Sequence, residues 1–151
     1  MPTMNGLTLR PPETFSRTHT EHAHIAGTFT VATRSGDATA SLVVRVFRSN
    51  DPVTADDLCA ALTESCPDAD VRVVTLPAGR AAAMVRAGEY RLPPEATGHA
   101  DTQVIPTYGV QLMLPASDDE HIVALDCSTN SVHGWPAIAE QAAAVAQSIH
   151  L

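Results

Sequence analysis

The sequence predicts an α+β domain, in which an antiparallel sheet of about six strands has helices packed on it. Short runs of alternating apolar and polar residues recur along the chain, and turn-forming Gly, Pro, Asp and Ser separate most of them. Two other segments, one at the C-terminus, repeat apolar residues at helical spacing. Because most of the strand connections have hairpin length, we expect antiparallel pairing.

The strands are expected in pairs. Phe29 and Val31 alternate with smaller residues in the first strand, and residues 35–37 (Ser-Gly-Asp) supply turn chemistry before the second. Residues 77–79 (Pro-Ala-Gly) connect the third and fourth strands, and the polar segment 115–120 connects the last two. The predicted strands cover residues 28–33, 39–47, 71–76, 81–87, 103–114 and 121–128.

The first helix is predicted between the two halves of the sheet. Thr54 and Asp57 have the spacing of a capping box, in which the two side chains satisfy backbone N–H groups at the helix start. Leu58 and Leu62 then fall on one face. The helix has to end before Pro67, because the residue before a proline disfavours helical geometry.

The last helix has the clearest pattern in the chain. Ile138, Ala142, Val145 and Ile149 recur at helical spacing, and Pro136 suits a first helical position. We expect the Ile and Val stripe to pack on the sheet. The rest of this helix is mostly alanine, which permits close approach by a neighbouring element and equally suits a solvated face.

Composition limits the class of protein. The chain carries a net charge of −8, and all nine of its basic residues are arginine, without a basic cluster. Binding to nucleic acid or to an anionic membrane is therefore not expected, because both depend on positive surface charge. The sequence contains no run of about 18 apolar residues, the length that a helix needs to span a bilayer. Residues 1–17 lack the basic start and apolar stretch of a secretory signal, so we expect a cytoplasmic protein.

We expect two parts in the chain: an irregular N-terminal arm, residues 1–27, and one α+β domain, residues 28–151. The arm is polar and contains prolines without a clear period. Three cysteines, Cys59, Cys66 and Cys127, have no zinc-ligand spacing and indicate a reducing compartment.

Four segments resemble small actinobacterial proteins of PsbP-like fold. They are VTLPAGRA at 74–81, YGVQLMLP at 108–115, ALDCST at 124–129 and AQSI at 146–149, within a resemblance that covers about residues 39–151. One departure is Cys127, where the family often has an aromatic residue.

The resemblance implies an antiparallel sheet sandwiched by helices. Some members of the family occur beside type VII secretion components, and fold relatives act as assembly factors or binding modules. No catalytic residue can be carried over. The expected function is therefore that of a non-enzymatic binding or accessory protein with a protein partner, possessing no cofactor and associated with a secretion system.

A metal-binding protein is the alternative. His19, His22 and His24 lie within six positions, and imidazole is a ligand for zinc and other divalent transition metals. In an extended chain His22 and His24 share a face. A further ligand could come from His99 or Asp101.

The segment 88–102 is predicted to be a long loop and the recognition site. Loops on a rigid scaffold concentrate binding residues, and this segment holds Tyr90, Arg91, His99 and Asp101. A disordered excursion without a partner is the other interpretation.

A third hypothesis makes Cys127 a nucleophile with His133 as its base. A thiol buried in a strand is the simpler interpretation. No nucleotide-binding or serine-hydrolase motif is present in the sequence.

Overall fold

The computed structural model describes residues 6–18, 21–98 and 103–151. Seven strands and three helices follow one another along these residues. The strands are β1 (Ser16–Arg17), β2 (Ile25–Thr33), β3 (Gly36–Arg48), β4 (Asp70–Leu76), β5 (Gly79–Leu92), β6 (Gln103–Pro115) and β7 (His121–Thr129). The helices are α1 (Ala55–Ser65), the short α2 (Pro94–Thr97) and α3 (Trp135–Gln147).

The strands form one antiparallel sheet in the order β1–β2–β3–β7–β6–β5–β4. The predicted α+β class is therefore confirmed, and β1 adds a short seventh strand. The hairpins β2–β3, β4–β5 and β6–β7 pair as predicted. The two halves of the chain meet where β3 pairs with β7, with Val44 opposite Leu125.

The main core lies between α3 and one face of the sheet. Ile138 of α3 is fully buried, as the helical spacing predicted, against Leu42, Val44 and Leu125 of the central strands. Ile149 is fully buried in the same core, but it lies two residues beyond the end of α3 and not on the helix. α1 lies on the opposite face of the sheet. Arg80 of β5 points to that face, because its position alternates with those of the residues that face α3. Its side chain forms an ion pair with Asp56 of α1 at 3.1 Å.

Local chemistry places both main helices. The backbone N–H of Asp57 donates to Thr54 Oγ1 at 3.1 Å, and the N–H of Thr54 donates to Asp57 Oδ2 at 3.0 Å, which is the predicted capping box. Hydrogen bonding to Thr54, foremost that from its backbone N–H, lowers the pKa of Asp57. At the start of α3, Gly134 is required because a Cβ there would collide with the side chain of Ala38 on β3.

The expected loop at residues 88–102 is partly a strand, which corrects the prediction. β5 continues to Leu92 and pairs with β6 as far as Gln103, and α2 follows. The pairing supplies backbone hydrogen bonds that the turn-like composition of this segment did not suggest. Tyr90 and Arg91 therefore lie on a strand.

The arm, residues 1–27, contributes to the described structure at several points. It contains β1 and the start of β2, and Leu7 is buried in the core with 5% of its surface exposed. The Thr8 N–H donates to the carbonyl of His150 at 2.9 Å, and the His150 N–H donates back at 2.8 Å. The division into an arm and a domain stays a prediction.

Candidate functional site

A cavity of about 360 Å³ lies between α3 and the outer strands of the sheet. We call it the α3 pocket. Residues of β4, β5, β6, β7 and α3 line it: Val74, Thr75, Leu76, Ala83, Val85, Val110, Leu112, Leu125, Trp135, Ala139, Ala142, Ala143, Ala146 and Gln147. All of these are apolar except Thr75 and Gln147.

Small side chains leave this space open. Four alanines of α3 line it, among them Ala139 and Ala143 one turn apart, and Ala83 lies below them on β5. Larger side chains at these positions would fill the gap between helix and sheet, since protein interiors otherwise pack closely. The size and apolar lining match those of pockets that hold small molecules.

Two aromatic rings lie at the start of α3. Trp135 lines the pocket, and its ring stacks on Tyr108 of β6 with centroids 5.7 Å apart and an angle of 22° between the planes. Val85 of β5, a lining residue, is 40% exposed and so lies where the pocket meets solvent. The arrangement can bind an apolar group, and none of its described lining residues carries a carboxylate, an imidazole or a thiol.

The residues predicted for recognition are only partly described. Arg91 is exposed on β5, and its Nη2 lies 3.6 Å from Glu89 Oε2. Tyr90 is placed on the same strand by its backbone. His99 and Asp101 lie outside the described residues. Their binding role stays a prediction.

The histidine cluster is likewise described in part. His22 is exposed, and His24 is half-buried just before β2, where its N–H donates to the carbonyl of Val44 at 2.8 Å. His19 lies outside the described residues. Metal binding by these three histidines stays a prediction.

A different group in the turn between β6 and β7 has metal-ligand chemistry. Ligand atoms of Asp118, Glu120 and His121 lie within 4.8 Å of one another. The Asp118 carboxylate already accepts hydrogen bonds from the backbone N–H groups of Glu120 at 2.8 Å and His121 at 3.0 Å. Its Oδ2 lies 2.6 Å from His121 Nδ1. These bonds, that from Glu120 foremost, lower the pKa of Asp118. The carboxylate thus stabilises the turn.

Cys127 is buried on the α3-facing side of β7, with 1% of its surface exposed. Burial, together with the neighbouring charge of Asp126, raises the pKa of its thiol to about 12. A nucleophilic cysteine needs a lowered pKa. This environment favours the structural interpretation of the thiol.

Sequence reasoning missed the α3 pocket, although a signal was present. Ala139, Ala142, Ala143 and Ala146 repeat at helical spacing, and β5 offers Ala81 and Ala83 in alternation. Small residues on both surfaces indicate either close packing or a gap. Only the distance between α3 and the strands β4 and β5 tells close packing from a gap.

No described helix is long and apolar enough to cross a membrane. The cytoplasmic location expected from the sequence stays a prediction.

No protein-family model matches the sequence, and no curated protein matches it. Several solved structures are similar in fold, and two of them show how far the likeness extends. One is a protein of Bacteroides thetaiotaomicron, with a TM-score of 0.57 and 8% identity over 95% of this chain and 44% of the other. The chain thus spans less than half of that protein.

The other is LpqN of Mycobacterium tuberculosis, described as involved in cell envelope biogenesis. Its TM-score is 0.56 and its identity 8%, over 95% of this chain and 81% of LpqN. At this identity both matches show the fold alone, an α+β sheet with helices packed on it, and the PsbP-like resemblance stays a prediction.

Proposed function

We propose that the protein is a non-enzymatic accessory protein that binds a small apolar molecule, or the apolar part of a larger one, in the α3 pocket. The observation that carries the proposal is the cavity of about 360 Å³ with its almost entirely apolar lining. An accessory role is compatible with the fold shared with LpqN, which is involved in cell envelope biogenesis.

The lining argues for a ligand held by burial and not by directed polar contacts. Each Å² of apolar surface removed from water contributes roughly 25 cal/mol, so a ligand that fills such a pocket gains affinity from contact area. The open end at Val85 lets a ligand enter without unfolding of α3.

The single tryptophan of the chain gives a direct measurement. Trp135 lines the pocket, so binding of the uncharged probe N-phenyl-1-naphthylamine is expected to quench its fluorescence by energy transfer. Saturating probe should also raise the melting temperature, because a ligand of the native state stabilises it. Absence of both effects would contradict the proposal.

Matched alanine variants test the location. Ala139→Leu places a larger side chain in the pocket and should weaken probe binding at least tenfold, whereas Ala144→Leu, on the exposed side of the same helix, should not. Ala143→Leu is a second pocket variant at a more exposed position. Equal affinity in Ala139→Leu, Ala143→Leu and Ala144→Leu would place the probe elsewhere.

A protein partner is the second candidate, and the extension of β5 and β6 favours it. Residues 86–92 of β5 lie beyond the last β4 partner, and β7 ends opposite Tyr108. Val104 is 50% exposed on this two-stranded extension. We propose that this extension, with Tyr90, Arg91, His99 and Asp101, binds a protein of a secretion system.

A pull-down from the native host tests this second candidate. The intact protein is compared with a variant in which residues 88–102 are shortened to a tight turn. A partner retained by both forms would argue against the extension, and its selective loss would support it.

A further inference from the structure

A second cavity, of about 180 Å³, lies on the face of the sheet opposite the α3 pocket, and both polar and apolar residues line it. We call it the Gly109 recess. Its polar side chains are those of Arg86 on β5, Gln111 on β6, and Asp126 and Ser128 on β7, and Met84, Gly109, Val110 and Cys127 complete the lining. The sheet separates it from the α3 pocket.

The register of the sheet explains why the recess exists. Arg86, Gly109 and Ser128 are cross-strand neighbours in one row, and the missing side chain of Gly109 leaves a gap between the other two. In the next row Gln111 lies directly opposite Asp126. Neighbouring Cβ atoms in such rows lie about 4.5–5.5 Å apart, so the polar side chains surround the gap.

The charges around the gap are of both signs. Asp126 Oδ2 lies 3.8 Å from Arg45 Nη1, and burial raises the pKa of Asp126 although Arg45 and Arg86 both lower it. Arg86 donates from Nη1 to the sulfur of Cys66 at 3.9 Å, a weak acceptor. An arginine with a poor partner thus lies across the gap from a carboxylate.

The Ser128 hydroxyl lies at the β3 side of the recess. Ser128 Oγ and Ser41 Oγ are 2.9 Å apart, and one hydroxyl therefore donates to the other. Gln111 supplies both an amide donor and an acceptor. The volume corresponds to about six water molecules at roughly 30 Å³ each, which limits a ligand to a small organic molecule.

We propose that the Gly109 recess binds a small carboxylic acid that carries a hydroxyl or amino group next to the carboxylate. The forked guanidinium of Arg86 matches a carboxylate, to which it can donate two parallel hydrogen bonds. Asp126 accepts a hydrogen bond from the ligand's hydroxyl or ammonium group. A ligand with only one of these two groups makes only one of the two contacts.

Isothermal titration with four small probes tests the chemistry. Lactate and serine carry both groups, propionate lacks the donor, and 1,2-propanediol lacks the carboxylate. Lactate, serine or both should bind at least tenfold more tightly than propionate and propanediol, and the preferred one of the two identifies a hydroxy acid or an amino acid. The proposal would be overturned if propionate bound as tightly as lactate and serine, or if none of the four probes bound at 50 mM.

Glycine variants test the location. A Cβ at Gly109 would meet only ordinary contacts, the Cys127 carbonyl oxygen at 3.5 Å and Ser128 Cβ at 3.8 Å, so Gly109→Val should fold while filling the recess. Gly88→Val is the matched control, because a Cβ there meets Thr107 Oγ1 at 3.5 Å and the residue does not line the recess.

The expected result is loss of binding in Gly109→Val and full binding in Gly88→Val. Arg86→Gln, on an exposed side chain that does not hold the core, should weaken binding at least tenfold, whereas Arg34→Gln in the β2–β3 turn should not. Wild-type affinity in either Gly109→Val or Arg86→Gln would overturn the assignment.

Discussion

At the scale of single residues, burial decides the chemistry of Cys127. Strand alternation places its side chain on the core face of β7, and Asp126 points to the opposite face. The thiol is surrounded by apolar side chains, and ionisation there is unfavourable. The sequence could indicate a buried cysteine, but the extent of burial depends on α3 covering the strand.

Stability should fall in alkaline solution because of this thiol. Its pKa is about 12 in the folded protein against 9.0 ordinarily, so the unfolded chain loses the proton first as the pH rises. The free energy of unfolding should therefore decrease as the pH rises from 9.0 to about 12. Below pH 9.0 the thiol is protonated in both states and should not change the free energy of unfolding. Urea unfolding at several pH values measures it.

Cys127→Val is the control for the alkaline loss, because it keeps an apolar side chain and removes the titration. The decrease above pH 9.0 should be smaller in this variant than in the wild type. Identical pH profiles would show that the thiol is not the group responsible.

The predicted site residues show how far residue patterns reach. Tyr90 and Arg91 were identified from a segment of turn-like composition, yet they lie on a paired strand. The Gly109 recess went unnoticed because Arg86, Gly109 and Asp126 are far apart in sequence. Only the strand register brings them into adjacent rows.

At the scale of elements, both main helices were predictable from local sequence. α1 begins at the Thr54–Asp57 capping box, and α3 buries Ile138, Ala142 and Val145 of the expected stripe. Capping and helical spacing act within a few residues, so they need no tertiary information. The extension of β5 and the short β1 were missed, because strand pairing there depends on a partner distant in sequence.

Loss of the cap should destabilise the protein. Thr54→Ala removes the acceptor for the N–H of Asp57 and is expected to lower the free energy of unfolding by about 1 kcal/mol. Urea unfolding measures the change.

Thr63→Ala is the matched control on the same helix. The Thr63 hydroxyl donates to the carbonyl of Cys59 at 2.8 Å, a bond that adds little to helix stability. Its removal should leave stability unchanged within about 0.5 kcal/mol. Equal losses in the two variants would mean that the cap contributes nothing specific.

At the scale of the whole molecule, the pairing of β3 with β7 joins the two halves into one sheet. Nine residue pairs from Ala40↔Thr129 to Arg48↔His121 make this connection. The N-terminal segment then crosses the end of α3, where Thr8 pairs with His150. Segments from both chain ends thus belong to one core.

Leu7 tests the contribution of the N-terminal segment. Its side chain is buried in the main core, so Leu7→Ala should lower the free energy of unfolding by about 2–4 kcal/mol. Leu151→Ala, at the other terminus and 38% exposed, should cost less than about 0.5 kcal/mol. Denaturant unfolding measures both, and a negligible loss in Leu7→Ala would show that the segment packs loosely.

The sequence alone predicted the α+β class, three hairpins, the two main helices and the buried stripe of α3. Each depends on alternation, helical spacing or turn chemistry within about ten residues. The strand order, the pairing of β3 with β7 and both cavities came only from the tertiary structure. A cavity arises where side chains from distant segments fail to fill a space, so its position depends on how α3 and the strands are placed, and no local pattern contains that information.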